Sequence, residues 1–295
     1  MAVQPSTTIV PEEVPDSSLG TSRAVHLFFR NPMAWVGIIG IVLIVLFSFV
    51  GPLFYHVSPL ATNVTDLLAP PSAHHLLGTD DLGRDYLSRM MYGGRLSLIV
   101  GFSAAIASMI IGVTYGLISG LVGGWLDNFL MRVIDILLSI PTLFLLLFLD
   151  VTFQPSPLEL IFVLAITSWF GVTRLVRSEV LSIKQRDYVE ASRAFGANNF
   201  HIMIKELLPN VMGTVMVATT FQIAGAIITI ATLSFLGLGL PPPEPNWGTM
   251  LSDSMSYMYE NTWWLIYPPG IALLWTVLSI NFISEALRGA IDSRF

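Results

Sequence analysis

Y-V-E-A-S-R-A-F-G-A-N-N-F-H-I-M-I-K-E-L-L-P-N, from Tyr188 to Asn210, is a polar stretch between two hydrophobic blocks, in the most basic part of the chain. A loop between apolar segments need only be short and polar, whereas this one is patterned. Glu190 stands where a helix would start, followed by the small residues Ala191 and Ser192. Gly196 suits the left-handed residue that stops or bends a helix. Phe200, Met203, Ile204 and Leu207 recur at helical spacing. Pro209 comes just before the next apolar run, where proline suits a helix start. The pattern predicts a short helix, a bend and a second helix outside a bilayer, with a small-residue face that another protein can approach closely. An amphipathic loop helix resting on lipid headgroups fits the same chemistry.

Working outward, the whole chain is greasy. Of its 295 residues 54% are hydrophobic and only 12% charged, with a mean hydropathy of +0.71. Soluble domains carry roughly 25% charged residues, so the composition indicates an integral membrane protein. The absence of cysteine excludes disulfides, thiolate metal sites and cysteine nucleophiles. Residues 1–20 are rich in Pro, Ser, Thr and Glu, cannot bury a core, and lack the basic-then-apolar order of a cleaved leader. Residues 1–23 therefore read as a disordered tail, and Ala24 to Arg30 as an amphipathic lead-in.

Pro32 opens a first span, Met33 to about Tyr55, long enough for a hydrocarbon core of roughly 30 Å. A polar loop, His56 to Arg95, leads to a second span (Leu96 to about Val122). A third follows at about Phe129 to Leu149 and a fourth at Leu158 to about Val172. The fifth is expected at about Val211 to Leu236 and the sixth at Trp263 to Ser284. The fold class is thus an all-α polytopic membrane protein with six transmembrane helices and both termini on one side. Arg23, Arg30, Arg132, Arg174, Arg177, Lys184, Arg186, Arg193, Lys205, Arg288 and Arg294 fall on or beside that side. Only Arg84, Arg89 and Arg95 fall on the other. The positive-inside rule makes the first side cytoplasmic.

In the second span Gly112, Gly116, Gly120 and Gly124 recur every four residues, a bare stripe against which another helix backbone can pack. Arg132 and Asp135 are spaced to pair on one helix face, and Asp150 and Glu159 mark the outer boundary. Within these limits the spans hold essentially no ionisable group of the kind an ion-coupled transporter uses as a relay. Their absence argues that the energy arrives from elsewhere, which fits a subunit driven by ATP hydrolysis on a separate protein. A stand-alone channel or secondary transporter is the rival reading, and buried ionisable groups would be its mark. There is no G-x-x-x-x-G-K-[ST] phosphate loop, no H-E-x-x-H and no G-x-S-x-G elbow. His74 and His75 read as an exposed pair rather than a metal site, so no metal is expected.

Two outer loops carry further pattern. Gly78 and Gly83 supply turns, and Arg84 between Asp81 and Asp85 suggests charge pairing that orders the first loop as a folded cap. In the second, Pro241, Pro242, Pro243 and Pro245 are stiff and cannot be helical. This shape ends in Trp247 and Gly248, and suits either contact with a delivery protein, closure of a passage, or interfacial anchoring by the tryptophan.

These residues resemble a known family. Glu190-Ala191-Ser192, Gly196 and Leu208-Pro209 are similar to the E-A-A-x-x-x-G-(x)9-I-x-L-P signature of ATP-binding-cassette importer permeases. Two positions depart from it: Ser192 replaces the third small alanine, and Glu206 stands where isoleucine is usual. His75 to Asp85, through Gly78, Thr79, Asp80, Gly83 and Arg84, resembles the H-x-L-G-T-D-x-x-G-R-D element of dipeptide and oligopeptide importer permeases. Ser234-Phe235-Leu236-Gly237-Leu238-Gly239 running to Trp247-Gly248 resembles their S-F-L-G-L-G-x-x-P-P-x-P-x-W-G stretch. The resemblance covers roughly Arg30 to Arg294.

The resemblance implies a type-I ABC importer permease fold in a bacterial or archaeal plasma membrane, in the subunit with the long first external loop. It implies that Glu190, Ala191, Ser192, Phe195, Gly196, Leu208 and Pro209 couple the chain to cytoplasmic ATPases. The implied partners are a homologous second permease, two ABC ATPases, an extracytoplasmic substrate-binding protein, a peptide substrate and the lipid bilayer, with no nucleic acid. ATP and magnesium would sit on the ATPases, with no cofactor on this non-catalytic chain. Family members also carry nickel, glutathione and antimicrobial peptides. The expected division is tail 1–23; surface helix, first span and outer loop 24–95; transmembrane domain 96–288 with coupling segment 188–209; and tail 289–295.

Overall fold

The computed structural model describes residues 17–152, 156–240 and 242–292; Pro241, Arg294 and most of the expected N-terminal tail lie outside the described residues. Among them there is no strand, only an isolated antiparallel bridge between Thr79 and Asp85. Helix α1 (Ser17–Arg30) begins inside the stretch read as disordered. Asn31 then caps α2 (Pro32–Val45) by accepting from the Met33 amide at 2.9 Å, with Pro32 in the first turn. A π-turn (Leu46–Val50) and α3 (Gly51–Phe54) complete this first span.

The second span is much longer than its apolar core. Asp85 caps α4 (Tyr86–Val122) by accepting from the Ser88 amide at 2.8 Å. Its 37 residues reach about 55 Å at 1.5 Å per residue, well beyond a hydrocarbon core of about 30 Å. It ends at Gly123, whose φ of +67° suits glycine. The third span, expected at about Phe129 to Leu149, is broken: α5 (Gly124–Ser139) and α6 (Thr142–Thr152) meet at 85°. Pro141 lacks the amide proton a helix needs and forces Ile140 extended, at φ −85° and ψ 124°.

The fourth span is α7 (Pro157–Ser168) with α8 (Phe170–Ile183), bent by 43°. It runs past the expected end at Val172 and carries Arg174, Arg177 and Glu179 as it leaves the apolar zone. After α9 (Asp187–Ala194) come α10 (Asn199–His201), a second π-turn (Ile202–Leu207) and α11 (Leu208–Phe235). The last three form one unbroken helix, Asn199–Phe235. Helix α12 (Trp247–Met255) starts with a reciprocal Asn246–Thr249 capping box. Helix α13 (Trp263–Asp292) continues into what read as the polar tail. Four helices are long and apolar enough to cross a membrane, and six spans result if each bent pair counts as one.

Helix α4 is the post around which α7, α8 and α11 pack. Buried Met109, Leu117 and Leu121 of α4 meet Val172, Val176 and Val180 of α8, with Val211 and Val215 of α11. A Cβ on Gly112 would lie 3.0 Å from the Trp169 carbonyl, and one on Gly116 would lie 2.9 Å from that of Thr173. On Gly120 it would lie 2.7 Å from a Val180 methyl. Bare glycine is what lets α8 approach this closely. Gly124 does not join the stripe: it lies beyond the break, at φ +61°, facing open space.

Two ion pairs tie α8 to α5. Asp135 pairs with Arg174 rather than with Arg132, because the neighbouring helix brings the guanidinium closer than the same face does. Arg177 holds both oxygens of Asp127 at 2.6 Å, and the Ser119 hydroxyl donates to the same carboxylate at 2.5 Å.

Candidate functional site

The bent segment is built around a helix stop. Helix α9 has Asp187 and Glu190 in its first turn and Arg193 in its last, matching the helix dipole at both ends. Gly196 follows at φ +89°. Its amide bonds the Arg193 carbonyl and the Ala197 amide bonds that of Ser192, both at 3.0 Å. That pair of bonds is a Schellman stop, which needs the left-handed residue glycine supplies. Nothing lies within 4 Å of where a Gly196 side chain would begin, so conformation rather than room selects glycine. Asn198 then restarts the helix, accepting from the His201 amide at 2.7 Å.

One residue roots α9 in the protein: Val189, fully buried against Ile202, Leu207 and Val211. Tyr188 beside it is partly covered, and burial raises its phenol above the ordinary value. Glu190, Ala191 and Gly196 are exposed, and Phe195 is 92% exposed. Ser192, Phe195, Gly196, Ala197, Asn198 and His201 line an open notch of about 420 Å³. Leu208 and Pro209 are not part of that surface. Leu208 packs on the core, and Pro209 lies about three turns inside the continuous helix Asn199–Phe235 rather than at the start of a new one. The π-turn just before it loosens the i to i−4 ladder in which proline cannot donate.

Ser192 and Glu206 meet across the bend. The Ser192 hydroxyl donates to a Glu206 carboxylate oxygen at 3.1 Å, and both residues are half-buried.

The two loops expected to face outward form a second cluster, arranged differently from the sequence expectation. Arg84 takes Asp80 as its main partner, at 2.7 Å, and reaches Asp81 only at 3.8 Å. Arg89, from the first turn of α4, shares Asp80 at 3.1 Å. Asp85 does not pair with Arg84, because it is committed to capping α4. Its second oxygen accepts from Tyr55 at 2.8 Å and lies 2.9 Å from His75 Nδ1. Burial and Asp85 push the Tyr55 phenol up to about 12. His75 is therefore half-buried and engaged, and only His74 is exposed. Gly78 and Gly83 both sit at φ +69°, pressed on the backbones of Ala69 and Asn63. The fully buried Thr79 accepts from the Ala69 amide at 2.8 Å.

Trp247 offers no outward contact: it is fully buried, and its indole donates to the Met90 carbonyl at 3.0 Å. A ring this large gains most by leaving water, and Gly94 leaves the slot, since a Cβ there would sit 2.5 Å from the indole. Gly248 brings α12 equally close to α11, where its Cβ would lie 2.5 Å from the Ala231 carbonyl. Pro242 is exposed and Pro245 buried, so the loop turns inward before α12. The Asp127–Arg177 and Ser192–Glu206 contacts were missed from the sequence, each lying between helices whose relative placement no local pattern encodes.

Comparison with known proteins places this arrangement. A family model described as "Binding-protein-dependent transport system inner membrane component" matches residues 112–295. Another, "N-terminal TM domain of oligopeptide transport permease C", matches residues 21–71. The oligopeptide transport system permease protein OppC of Bacillus subtilis is 38% identical over 284 residues, covering 96% of this chain and 93% of that one. The dipeptide transport system permease protein DppC of the same organism is 37% identical over 265 residues, covering 90% and 83%. An inward-facing structure of the MetNI methionine ABC transporter is similar in fold, with a TM-score of 0.55 at 19% identity, covering 70% of this chain and 96% of that chain.

Proposed function

The chain belongs to the binding-protein-dependent transport system inner membrane component family, and on that premise we propose that residues 187–209 are where partner ATPases grip it. It is a non-catalytic, multi-pass permease subunit of an inner-membrane ABC importer, whose partners include ATPases and a binding protein. The cargo we assign is di- and oligopeptides, on the strength of relatives named for them. The full assembly in this reading has a second, homologous permease, two cytoplasmic ATPases and an extracytoplasmic binding protein. ATP and magnesium sit on the ATPases, and this chain holds no cofactor. The excess of Lys and Arg around residues 174–205 supports a cytoplasmic position for the segment and both termini.

The observation that carries the coupling role is continuity. An exposed tip, Glu190 to Gly196, joins through one tight turn a helix that is itself a membrane span, Asn199–Phe235. Closure of an ATPase pair against the tip displaces α9, and the rigid span behind it tilts, which is a rigid-body route to alternating access. No residue does covalent chemistry.

Gly196→Asp tests the assignment in the complex purified from membranes. At φ +89° any side chain is strained by about 1–3 kcal/mol, and a charge enters the gripping surface. The variant is expected to insert normally and to lose both the ATPases and ATP-driven peptide uptake. Normal co-purification of the ATPases would overturn the coupling role.

A further inference from the structure

The two places where the coupling segment departs from the permease signature, Ser192 and Glu206, are the two residues that hydrogen-bond across its bend, at 3.1 Å. They lie 14 positions apart on opposite sides of the Gly196 turn. Alanine and isoleucine at these positions offer only an apolar contact. Here both have become polar, with a donor facing an acceptor.

We propose that this pair is a latch that sets the angle of α9 against the Asn199–Phe235 helix, and so positions the surface the ATPases grip. The inference rests on the coupling role just assigned to that surface. Helix α9 needs such a brace. Its eight residues send only Val189 fully into the core, and its next joint is a glycine with open space around it. Val189 fixes where α9 sits, but one buried side chain is a pivot and leaves rotation about itself free. Ser192, almost one turn further on, supplies a second point. Two points define an orientation where one does not.

Glu206 is itself held. It lies in the π-turn Ile202–Leu207, and its backbone carbonyl accepts from the Asn210 side chain at 2.5 Å. The brace therefore transmits to the span rather than to a loose loop. Tyr188 lies near enough for its phenol to feel the Glu206 charge and that of Arg186. Arg193 and Lys205 are exposed, and His201 lines the notch beside Ser192; the Glu206 carboxylate takes its side-chain hydrogen bond from Ser192. Ser192 and Glu206 are positioning residues and carry no contact with nucleotide or cargo.

The test uses the full transporter complex, reading ATPase retention and the stimulation of ATP hydrolysis by peptide-loaded binding protein. Ser192→Ala leaves a half-buried carboxylate without its donor, and Glu206→Ile leaves the hydroxyl without its acceptor. Each is expected to lower stimulated hydrolysis roughly tenfold, the scale of one hydrogen bond to a charged group. Glu206→Gln keeps an acceptor oxygen and is expected to retain most of the rate. The double variant Ser192→Ala with Glu206→Ile restores the apolar pairing and is expected to recover most of what each single loses. Unchanged singles, or losses that simply add in the double, would overturn the latch. Phe195→Ala separates this from failure of the coupling role. If Phe195→Ala strips the ATPases while the Ser192 and Glu206 singles behave as the parent, the latch fails and the coupling role stands. If Phe195→Ala changes nothing either, the coupling role fails with it.

Discussion

Asp253 on α12 faces Asp81 and Asp80 of the outer cap, with Arg89 and Arg84 behind them. Asp253 is exposed on one side, and partial desolvation of its carboxyl on the other is the first cause that raises it above the ordinary range, with the charge of Asp81 adding to it. The folded state thus binds this proton more tightly than the unfolded chain does. Stability from Asp253 is highest on the acid side of the unfolded carboxylate pKa and falls as pH rises through the folded value. Asp253→Asn is expected to raise the thermal midpoint at neutral pH and to flatten that acid-side gain. A midpoint difference between parent and variant that stays constant from pH 4 to pH 8 would refute this. The same cluster shows what one residue's neighbours in sequence can and cannot reveal. Charges close in sequence suggested that Arg84 would be paired, and it is. Its partner is Asp80 because Asp85 is taken by the helix end, which becomes visible only once α4 is known to start at Tyr86. Trp247 was misplaced for a related reason: the slot that buries it is made by Gly94, far away in sequence.

At the scale of elements, the α4–α8 contact is the joint on which the interior depends. A valine at Gly116 would push a branched side chain against the Thr173 carbonyl and Val176, both 2.9 Å from the new Cβ. Overpacking of this kind costs about 1–3 kcal/mol, so Gly116→Val is expected to lower the thermal midpoint in detergent. Gly171→Ala, at a site with open space, should leave it nearly unchanged. Equal shifts for the two would mean that close approach along the stripe is not what holds α8. Apolar runs revealed the spans because burial in lipid leaves a direct mark on composition. The 85° break at Pro141 carried a local mark too, a proline inside an apolar run. The π-turn at Ile202–Leu207 carried none, since it arises from joining Pro209 smoothly to the helix before it. For that reason the sequence suggested two helices where there is one.

For the whole molecule, the uneven distribution of Lys and Arg is the basis for orientation, and it can be tested cleanly because the chain has no cysteine. Single cysteines at His201 and at His74, both exposed, report opposite faces in this reading. In intact cells a membrane-impermeant maleimide should label the cysteine at 74 and spare the one at 201. The reverse pattern would invert the topology and remove the coupling role. One feature reaches across that topology. Helix Asn199–Phe235 has 37 residues, about 55 Å of rod, with the proposed ATPase grip at one end and the turn into α12 at the other. Tilting such a rod by about five degrees moves its far end by roughly 5 Å, without any relay of side-chain rearrangements between. Equilibrium reciprocity then applies: whatever factor nucleotide-driven closure adds to the affinity for a loaded delivery protein outside, docking of that protein must return to closure inside. Arrival of cargo and commitment of ATP would be read from the two ends of a single lever.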